Sequence, residues 1–171
     1  MITTSVLICM TVFSIDMRNA DVICDNAHII EEMAEAYDLD PSLIIAVGRI
    51  ESAWTPTAKS PANACGIMQV LPKYSKKFGN KGRNLTCEEL KDPETSIRVG
   101  SKILNYWLKK YAKGNETIGL CGYNAGFRCK GENKNKQGLK YAKAVLKYRK
   151  YFKKKMRIQK RKYKNEMFAN H

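Results

Sequence analysis

Histidine is nearly absent from this chain of 171 residues, which has only His28 and His171, and its six cysteines include no C-x-x-C pair. Zinc fingers, histidine-based metalloproteases and Ser-His-Asp enzymes depend on such side chains, so the sequence disfavours these classes. Hydrophobic residues make up 44% of the chain and charged residues 27%, which excludes a low-complexity disordered chain and a multi-pass membrane protein. The length fits one domain.

Acidic residues are scarce at the C-terminal end of the chain. Residues 1–126 contain 14 basic and 14 acidic side chains, whereas residues 127–171 contain 17 basic ones and only Glu132 and Glu166. The whole net charge of +15 therefore comes from residues 127–171. A neutral body with a basic end indicates a core that is delivered to a polyanion such as nucleic acid, anionic lipid or a charged cell-wall polymer.

The N-terminal segment has no charge between Ile2 and Ile15 and is rich in aliphatic residues, and Ala20 follows shortly before Asp21. This pattern is typical of a secretory signal, so we expect residues 1–20 to be a signal peptide. No basic residue precedes the apolar run, and the alternative is an N-terminal segment that frays or docks on the fold. The run is too short for a comfortable membrane span.

The cysteine count depends on that cleavage. Loss of residues 1–20 would remove Cys9 and leave five cysteines, so at least one thiol in each monomer would be unpaired. Cys24 is then the best disulfide candidate. Cys65 and Cys121 flank small-residue motifs, where a free cysteine acts as a compact buried hydrophobic residue. As partners of Cys24, the sequence leaves open Cys65, Cys87, Cys121 and Cys129.

Apolar residues recur at helical spacing along most of the chain, with little strand pattern. Asp40-Pro41 and Asp92-Pro93 each combine an N-cap with a proline at the first helical position. We therefore predict a mainly α fold with little or no β-structure, as one domain over residues 21–152 and a basic helix or tail over residues 153–171. Helices are predicted after Asn26, Asp40, Asp92 and Asn115, near residues 72–78, and over residues 141–156.

Glu51 is the acidic residue with the most informative surroundings. On the predicted helix, Val47 lies one turn before it and Trp54 nearly one turn after it, so the carboxyl lies at the edge of an apolar stripe. Burial there disfavours the charged form, which raises the pKa and keeps a proton available near neutral pH, as a general acid requires. On helix geometry alone, the alternative is an exposed surface glutamate.

Three motifs follow one another in the order and spacing of a known enzyme family. They are Glu51-Ser52, followed by Ser60, then Gly66-Ile67-Met68-Gln69, and far downstream Gly122-Tyr123-Asn124-Ala125-Gly126. They resemble the Glu-Ser, Gly-Leu-Met-Gln and Ala-Tyr-Asn-Ala-Gly motifs of lytic transglycosylases, the goose-lysozyme-like enzymes that cleave peptidoglycan. The chain departs from the motifs at Ile67 and Gly122. The resemblance covers about residues 24–152, and the overall arrangement looks like the small transglycosylases of secretion and conjugation systems.

The resemblance implies a lysozyme-like helical fold, peptidoglycan glycan strands as substrate, and Glu51 as the sole catalytic acid and base. It implies no metal and no organic cofactor. For Met68 and Tyr141, packing in the core is the alternative. The residues that the resemblance places at the substrate are Ser60, Met68, Gln69, Tyr123, Asn124 and Tyr141.

Glycosidases usually place a second carboxyl group across the scissile bond, and the sequence has none between Gly66 and Phe78. Asp92 and Glu94 look like helix-cap residues. We therefore expect Glu51 to protonate the glycosidic oxygen and then, as a carboxylate, to take the proton from the sugar 6-hydroxyl, which leaves a 1,6-anhydromuramic end. The alternatives are a hydrolytic lysozyme or phage endolysin of the same fold and a non-enzymatic wall-binding protein.

The basic end has three interpretations: a solvated helix end, an anchor to an anionic wall or membrane surface, and a nucleic-acid contact. The last lacks a recognised docking motif or a regular aromatic platform. We expect the protein in the periplasm or outside the cell, with a phage virion or an infected cell as the alternative. The basic residues concerned are Lys153, Lys154, Lys155, Arg157, Lys160, Arg161, Lys162 and Lys164.

Overall fold

The structure, a computed structural model, describes residues 2–79, 82–131 and 134–169. A 3-10 helix spans Pro72–Lys77, and a π-helical turn spans Tyr106–Tyr111. No strand forms in these residues, which contain two isolated β-bridges, so the predicted mainly α fold is confirmed. The helices are α1 (Thr4–Ser14), α2 (Ala20–Asp25), α3 (Ala27–Tyr37), α4 (Pro41–Ser52), α5 (Cys87–Lys91), α6 (Pro93–Asn105), α7 (Glu116–Ala125) and α8 (Lys136–Ala169).

The helix predicted after Asn26 forms without a side-chain cap, and the other three predicted starts are confirmed by capping hydrogen bonds. The carboxylate of Asp40 accepts from the amide of Ser42 at 3.0 Å, and that of Asp92 accepts from the amide of Thr95 at 2.8 Å. The side chain of Asn115 caps α7 in the same way. These side chains satisfy amides that have no partner inside the helix. The sequence prediction missed α2 and α5, although Thr86 and Glu89 form a capping box at the start of α5.

Helix α4 lies at the centre of the core. Every residue from Ser42 to Gly48 is buried, since α4 packs against α3 on one side and α8 on the other. The first half of α8 also packs against α7 and α1. The C-terminal end of α4, which carries Glu51, therefore emerges from a core that α3 and α8 cover.

The N-terminal segment docks on the fold in this structure. Ile8 and Val12 of α1 are fully buried, and the Glu31 carboxylate of α3 accepts hydrogen bonds from the amides of Thr4 and Ser5 at 2.9 and 3.1 Å. Cys9 forms a disulfide with Cys24. Removal of residues 1–20 would break this bond and expose the apolar surface that α1 covers.

The cysteine prediction was wrong in its pairing. Cys24 pairs with Cys9, which was expected to leave with the signal peptide, and the four cysteines named as its alternative partners pair with one another. All six cysteines are bonded, so neither Cys65 nor Cys121 is a free buried thiol. The bonds join segments that only the folded chain brings together. Cys65 is bonded to Cys87 and Cys121 to Cys129.

Helix α8 runs without a break across residue 152, so the basic end begins as a continuation of the domain's last helix. Phe152 and Met156 are buried, and Lys153 forms an ion pair with Asp40 at 2.6 Å. Beyond Met156 most side chains of the helix are exposed. None of the helices formed by the described residues combines the length and the apolar character needed to cross a membrane.

Candidate active site

The end of α4 fixes the position of Glu51. Ala53 and Trp54 adopt left-handed conformations, with φ of 51° and 62°, which end the helix abruptly. The fully buried Trp54 ring donates from Nε1 to the carbonyl of Ile45 at 3.0 Å. It lies so close to Gly48 that a Cβ there would come 2.8 Å from the ring. Left-handed backbone costs about 1–2 kcal/mol per residue, which this buried ring offsets.

Ser52 joins α4 to the Gly66–Gln69 motif. Its Oγ donates to the carbonyl of Ile67 at 2.9 Å and accepts from the amide of Thr55 at 3.2 Å. Gly66 has a φ of 75°, and a Cβ there would lie 1.8 Å from the carbonyl oxygen of Leu90. The motif loop is thus held against both α4 and α5, and only glycine fits its first position.

Glu51 is half-buried, and the pKa of its carboxyl group lies near neutral pH. Burial raises its pKa from the ordinary 4.5 to about 7, and the Tyr141 hydroxyl partly opposes this pKa shift. Tyr141 is buried, and its hydroxyl has no hydrogen-bond partner of normal geometry among the described residues, so Glu51 is the group it is left to interact with. Glu51 therefore populates both its acid and its carboxylate form near pH 7, as a group that first gives and then takes a proton requires.

Two tyrosines from different helices surround this acid. Burial, followed by the charge of Glu51, raises the pKa of Tyr123 and of Tyr141 well above the ordinary value for tyrosine. The Tyr123 hydroxyl donates to the carbonyl of Met68 at 2.8 Å. Both phenols thus stay protonated, and α4, α7 and α8 each contribute one group to the same small region.

A cleft of about 610 Å³ lies next to this group. Gln69, Tyr123 and Asn124 line it, and no acidic side chain does so among the described residues. Glu51 itself does not line the cleft but borders it through Tyr123, whose pKa responds to the Glu51 charge. The cleft also has an aromatic wall formed by Tyr74, Phe78, Tyr106, Trp107 and Phe127.

The comparison with known protein families identifies this arrangement. The transglycosylase SLT domain family matches residues 28–146, which include Glu51, the Gly66–Gln69 motif and Tyr141. The chain belongs to the transglycosylase SLT domain family. The resemblance inferred from the three motifs is thereby confirmed.

Curated relatives match part of this SLT domain chain. It is 36% identical over 93 residues to the soluble lytic murein transglycosylase of Escherichia coli, a match that covers 52% of this chain and 14% of that protein. It is also 36% identical over 88 residues to membrane-bound lytic murein transglycosylase E of Buchnera aphidicola, covering 48% and 39%. The matches therefore span less than half of either relative.

Solved structures confirm the lysozyme-like helical fold of the SLT domain. The complex of the 70-kDa soluble lytic transglycosylase with bulgecin A matches with a TM-score of 0.69 at 23% identity, over 87% of this chain and 30% of that one. An inactive mutant of the lytic transglycosylase Slt from Pseudomonas aeruginosa matches with a TM-score of 0.66 at 20% identity, over the same shares. At this identity the likeness shows the fold alone.

The structure separates the predicted substrate residues of the SLT domain into two groups. Gln69, Tyr123 and Asn124 line the cleft, and Tyr141 faces Glu51. The Met68 side chain, in contrast, is fully buried against Gly100, so the packing alternative describes it. Its part in the site is its backbone carbonyl, which accepts from Tyr123.

Ser60 lies outside the lining of this cleft, and its contact with the substrate stays a prediction. Its Oγ accepts from the amide of Ala64 at 3.1 Å, which closes a turn, and the side chain does not line the cleft. Gln69 is at the cleft, but its amide nitrogen is engaged with the carbonyls of Gly66 at 3.0 Å and Ala58 at 3.3 Å. Its side-chain oxygen is the atom left for a ligand.

The sequence prediction missed the aromatic wall, because its residues come from separate segments that only the fold brings together. Trp107 packs over Gly122, where a Cβ would lie 2.4 Å from its ring. This contact explains why the chain has glycine where the family motif has alanine. No group of three or more histidine, cysteine, aspartate or glutamate side chains in the described residues could hold a metal ion.

Proposed function

We propose that this domain cleaves the β-1,4 bond between N-acetylmuramic acid and N-acetylglucosamine in peptidoglycan and leaves 1,6-anhydromuramic ends. The observation that carries the proposal is Glu51, an acid with a pKa of about 7 beside a cleft with no acidic lining among the described residues. Its curated relatives are named lytic murein transglycosylases, which supports the same activity.

The reaction uses Glu51 twice. As an acid it protonates the glycosidic oxygen, the bond from C1 of muramic acid to that oxygen breaks, and the N-acetylglucosamine end leaves with a free 4-hydroxyl. The substrate's N-acetyl oxygen stabilises the positive charge at C1. Glu51, now a carboxylate, takes the 6-hydroxyl proton while O6 bonds to C1, so the acid is regenerated and no water is consumed.

The neighbours of Glu51 hold it and the substrate in place. Tyr141 donates its otherwise unsatisfied hydroxyl towards the carboxylate form of Glu51, which explains why it opposes the rise in that pKa. Tyr123 is held by the Met68 carbonyl at one edge of the cleft. The side-chain oxygen of Gln69 and the exposed amide of Asn124 bind sugar hydroxyls.

The test is mass spectrometry of the products formed from purified peptidoglycan. Anhydromuramoyl products from the wild type, and none from Glu51→Gln, are the expected result. Glu35→Gln, a change at an exposed glutamate on α3, is the matched control and should leave the products unchanged. Reducing ends would instead support a hydrolytic lysozyme or endolysin, and binding without any product would support a non-enzymatic wall-binding protein.

We place the protein in the cell envelope, in the periplasm or outside the cell. Three disulfides form and persist in an oxidising compartment. The names of the relatives, which include membrane-bound murein transglycosylases, support the same location. Service to a secretion or conjugation machine is part of this proposal, and a phage virion or an infected cell is the alternative. Export by a cleaved signal over residues 1–20 stays a prediction.

The exposed end of α8 is proposed as an anchor to an anionic wall or membrane surface. Along Arg157–Ala169 the helix has one acidic residue, Glu166. At 1.5 Å per residue, Lys160 lies about 28 Å along the helix from Tyr141, so an anchored tail leaves the cleft free. Its exposed basic side chains are Arg157, Lys160, Arg161, Lys162 and Lys164.

A further inference from the structure

The cleft presents positive charge that no residue of its lining neutralises. Lys77 comes from the 3-10 helix and Arg128 from the loop after α7, and both line the cleft. The cleft lining within the described residues includes no aspartate or glutamate. Neither cation forms an ion pair with a described acidic side chain, although lysines and arginines elsewhere, such as Arg98 and Lys109, do.

Both cations have contacts that hold them at the cleft. Lys77 Nζ lies 4.9 Å from the centroid of the Tyr106 ring, a cation–π contact. Arg128 donates from Nε to the carbonyl of Ala125 at 3.3 Å, which leaves its two terminal nitrogens for a ligand. The Cys121–Cys129 disulfide closes the loop that carries Arg128 against α7. The two positive groups are therefore positioned before a ligand arrives.

The glycan backbone of the proposed substrate gives these cations no partner, since N-acetylated sugars linked to peptides are uncharged. The negative groups of such a strand are the carboxylates of its stem peptides. In the same cleft, Trp107 and the exposed ring of Phe127 offer apolar faces to sugar rings or to aliphatic peptide side chains. A strand that lies in the cleft would therefore bring its peptide carboxylates to basic groups.

We propose that Lys77 and Arg128 bind carboxylates of the stem peptides and make the domain prefer strands with ionised peptides over strands whose peptide carboxylates are amidated. This inference rests on the proposed function, because it takes the glycan strand of peptidoglycan as the ligand. A guanidinium and an ammonium that face a carboxylate form charge-assisted hydrogen bonds, which an uncharged amide does not match. The chain thus selects its substrate by charge as well as by sugar.

The test compares two preparations of the same glycan fragments, one with free peptide carboxylates and one amidated chemically. Calorimetry with the Glu51→Gln variant measures binding without cleavage, and wild-type kinetics measure kcat/KM. We expect about a tenfold preference for the free-acid fragments in both. The double variant Lys77→Gln/Arg128→Gln should bring this ratio close to one, and added salt should reduce it in the wild type.

Lys76→Gln is the matched control. Lys76 is an exposed neighbour of Lys77 on the same 3-10 helix and does not line the cleft, so the preference should persist. Lys77 and Arg128 are exposed, and circular dichroism checks that the double variant folds. Equal binding of both fragments by the wild type, or a preference retained by the double variant, overturns the inference. Cleavage of both fragments at equal rates would overturn only this inference. Preferential binding of the free-acid fragments without cleavage would overturn only the proposed function.

Discussion

The end of α4 and the end of α8 use charge in opposite ways. At the end of α4 a single carboxyl, Glu51, is partly withdrawn from water, and its pKa rises to about 7. Along Arg157–Ala169 the cations are numerous and exposed, so water and salt screen each of them. Partial burial thus gives the single Glu51 carboxyl its reactivity, whereas the exposed cations of α8 act together through their number and spacing.

Neutralising Glu51 at the end of α4 should have the largest effect on activity. Glu51→Gln is expected to lower kcat by about a thousandfold or more, because the amide can neither give nor take the proton. Glycan cleavage measured by chromatography checks it, with circular dichroism to show that the fold persists. A Gln variant with near wild-type kcat would contradict the assignment of Glu51 as the acid.

The next comparison concerns packing at the first position of the Gly66–Gln69 motif. Gly66→Ala combines a positive φ with a Cβ 1.8 Å from the Leu90 carbonyl, so we expect a loss of about 3 kcal/mol or more in the free energy of unfolding. Gly82→Ala is the matched control, because Gly82 also has a positive φ, of 64°, but nothing lies within 4 Å of its Cβ position. It should cost about 1 kcal/mol. Urea midpoints compare the two, and equal losses would refute the packing argument.

Burial of Glu51 should also make stability depend on pH. Its folded pKa, about 7, lies above the unfolded value of 4.5, so the folded protein binds more protons between these pH values. Stability therefore falls as pH rises through this window, by up to about 3 kcal/mol from this group. Glu51→Gln should lack that part of the decline.

Urea denaturation at pH 5 and pH 8, on the wild type and on Glu51→Gln, measures the effect. The difference between the two proteins isolates Glu51 from other groups that titrate in the same range. The Gln variant should gain stability relative to the wild type on going from pH 5 to pH 8. A difference that does not change with pH would show that Glu51 is not desolvated.

The smallest effect on stability is expected at the end of α8. Replacing four of the five cations there by glutamine should change the free energy of unfolding by less than about 1 kcal/mol, because the side chains are exposed. Binding to purified cell walls at low salt should fall by about tenfold or more, and its salt dependence should weaken. The four positions are Lys160, Arg161, Lys162 and Lys164.

The control for that variant removes the same charge from scattered exposed positions. Its wall binding should stay near that of the wild type if the local density of charge on α8 matters. Equal losses in both variants would mean that net charge alone drives binding, and tighter binding to DNA than to walls would favour the nucleic-acid interpretation. The control positions are Lys59, Lys110, Lys113 and Lys143.

Local signals predicted much of the fold. Asp40, Asp92 and Asn115 mark helix starts because a capping side chain acts on amides two or three residues away. The raised pKa of Glu51 also followed from sequence, since Val47 and Trp54 are its neighbours on the helix and at the turn that ends it. Capping operates over one helical turn and needs no knowledge of distant segments, whereas the surroundings of Glu51 also include Tyr123 and Tyr141 from other helices.

Contacts between distant segments were not predictable in this way. Met68 and Gln69 are adjacent in sequence, yet one side chain packs on Gly100 and the other lines the cleft. The pairing of Cys9 with Cys24 depends on the packing of α1 against α2 and α3, which no local pattern indicates. The left-handed backbone at Gln69, with φ of 49°, turns its side chain away from the direction that a regular element would give.

The sequence by itself determined the helical character, the helix starts, the segregation of positive charge and the three motifs of the family, because each depends on residue type at short spacing. The tertiary structure alone decided which cysteines pair, which motif residues reach the cleft, and that Lys77 and Arg128 line the same cleft. These features depend on how α1, α4, α7 and α8 pack, and packing is fixed by the burial of many side chains together rather than by any one local pattern.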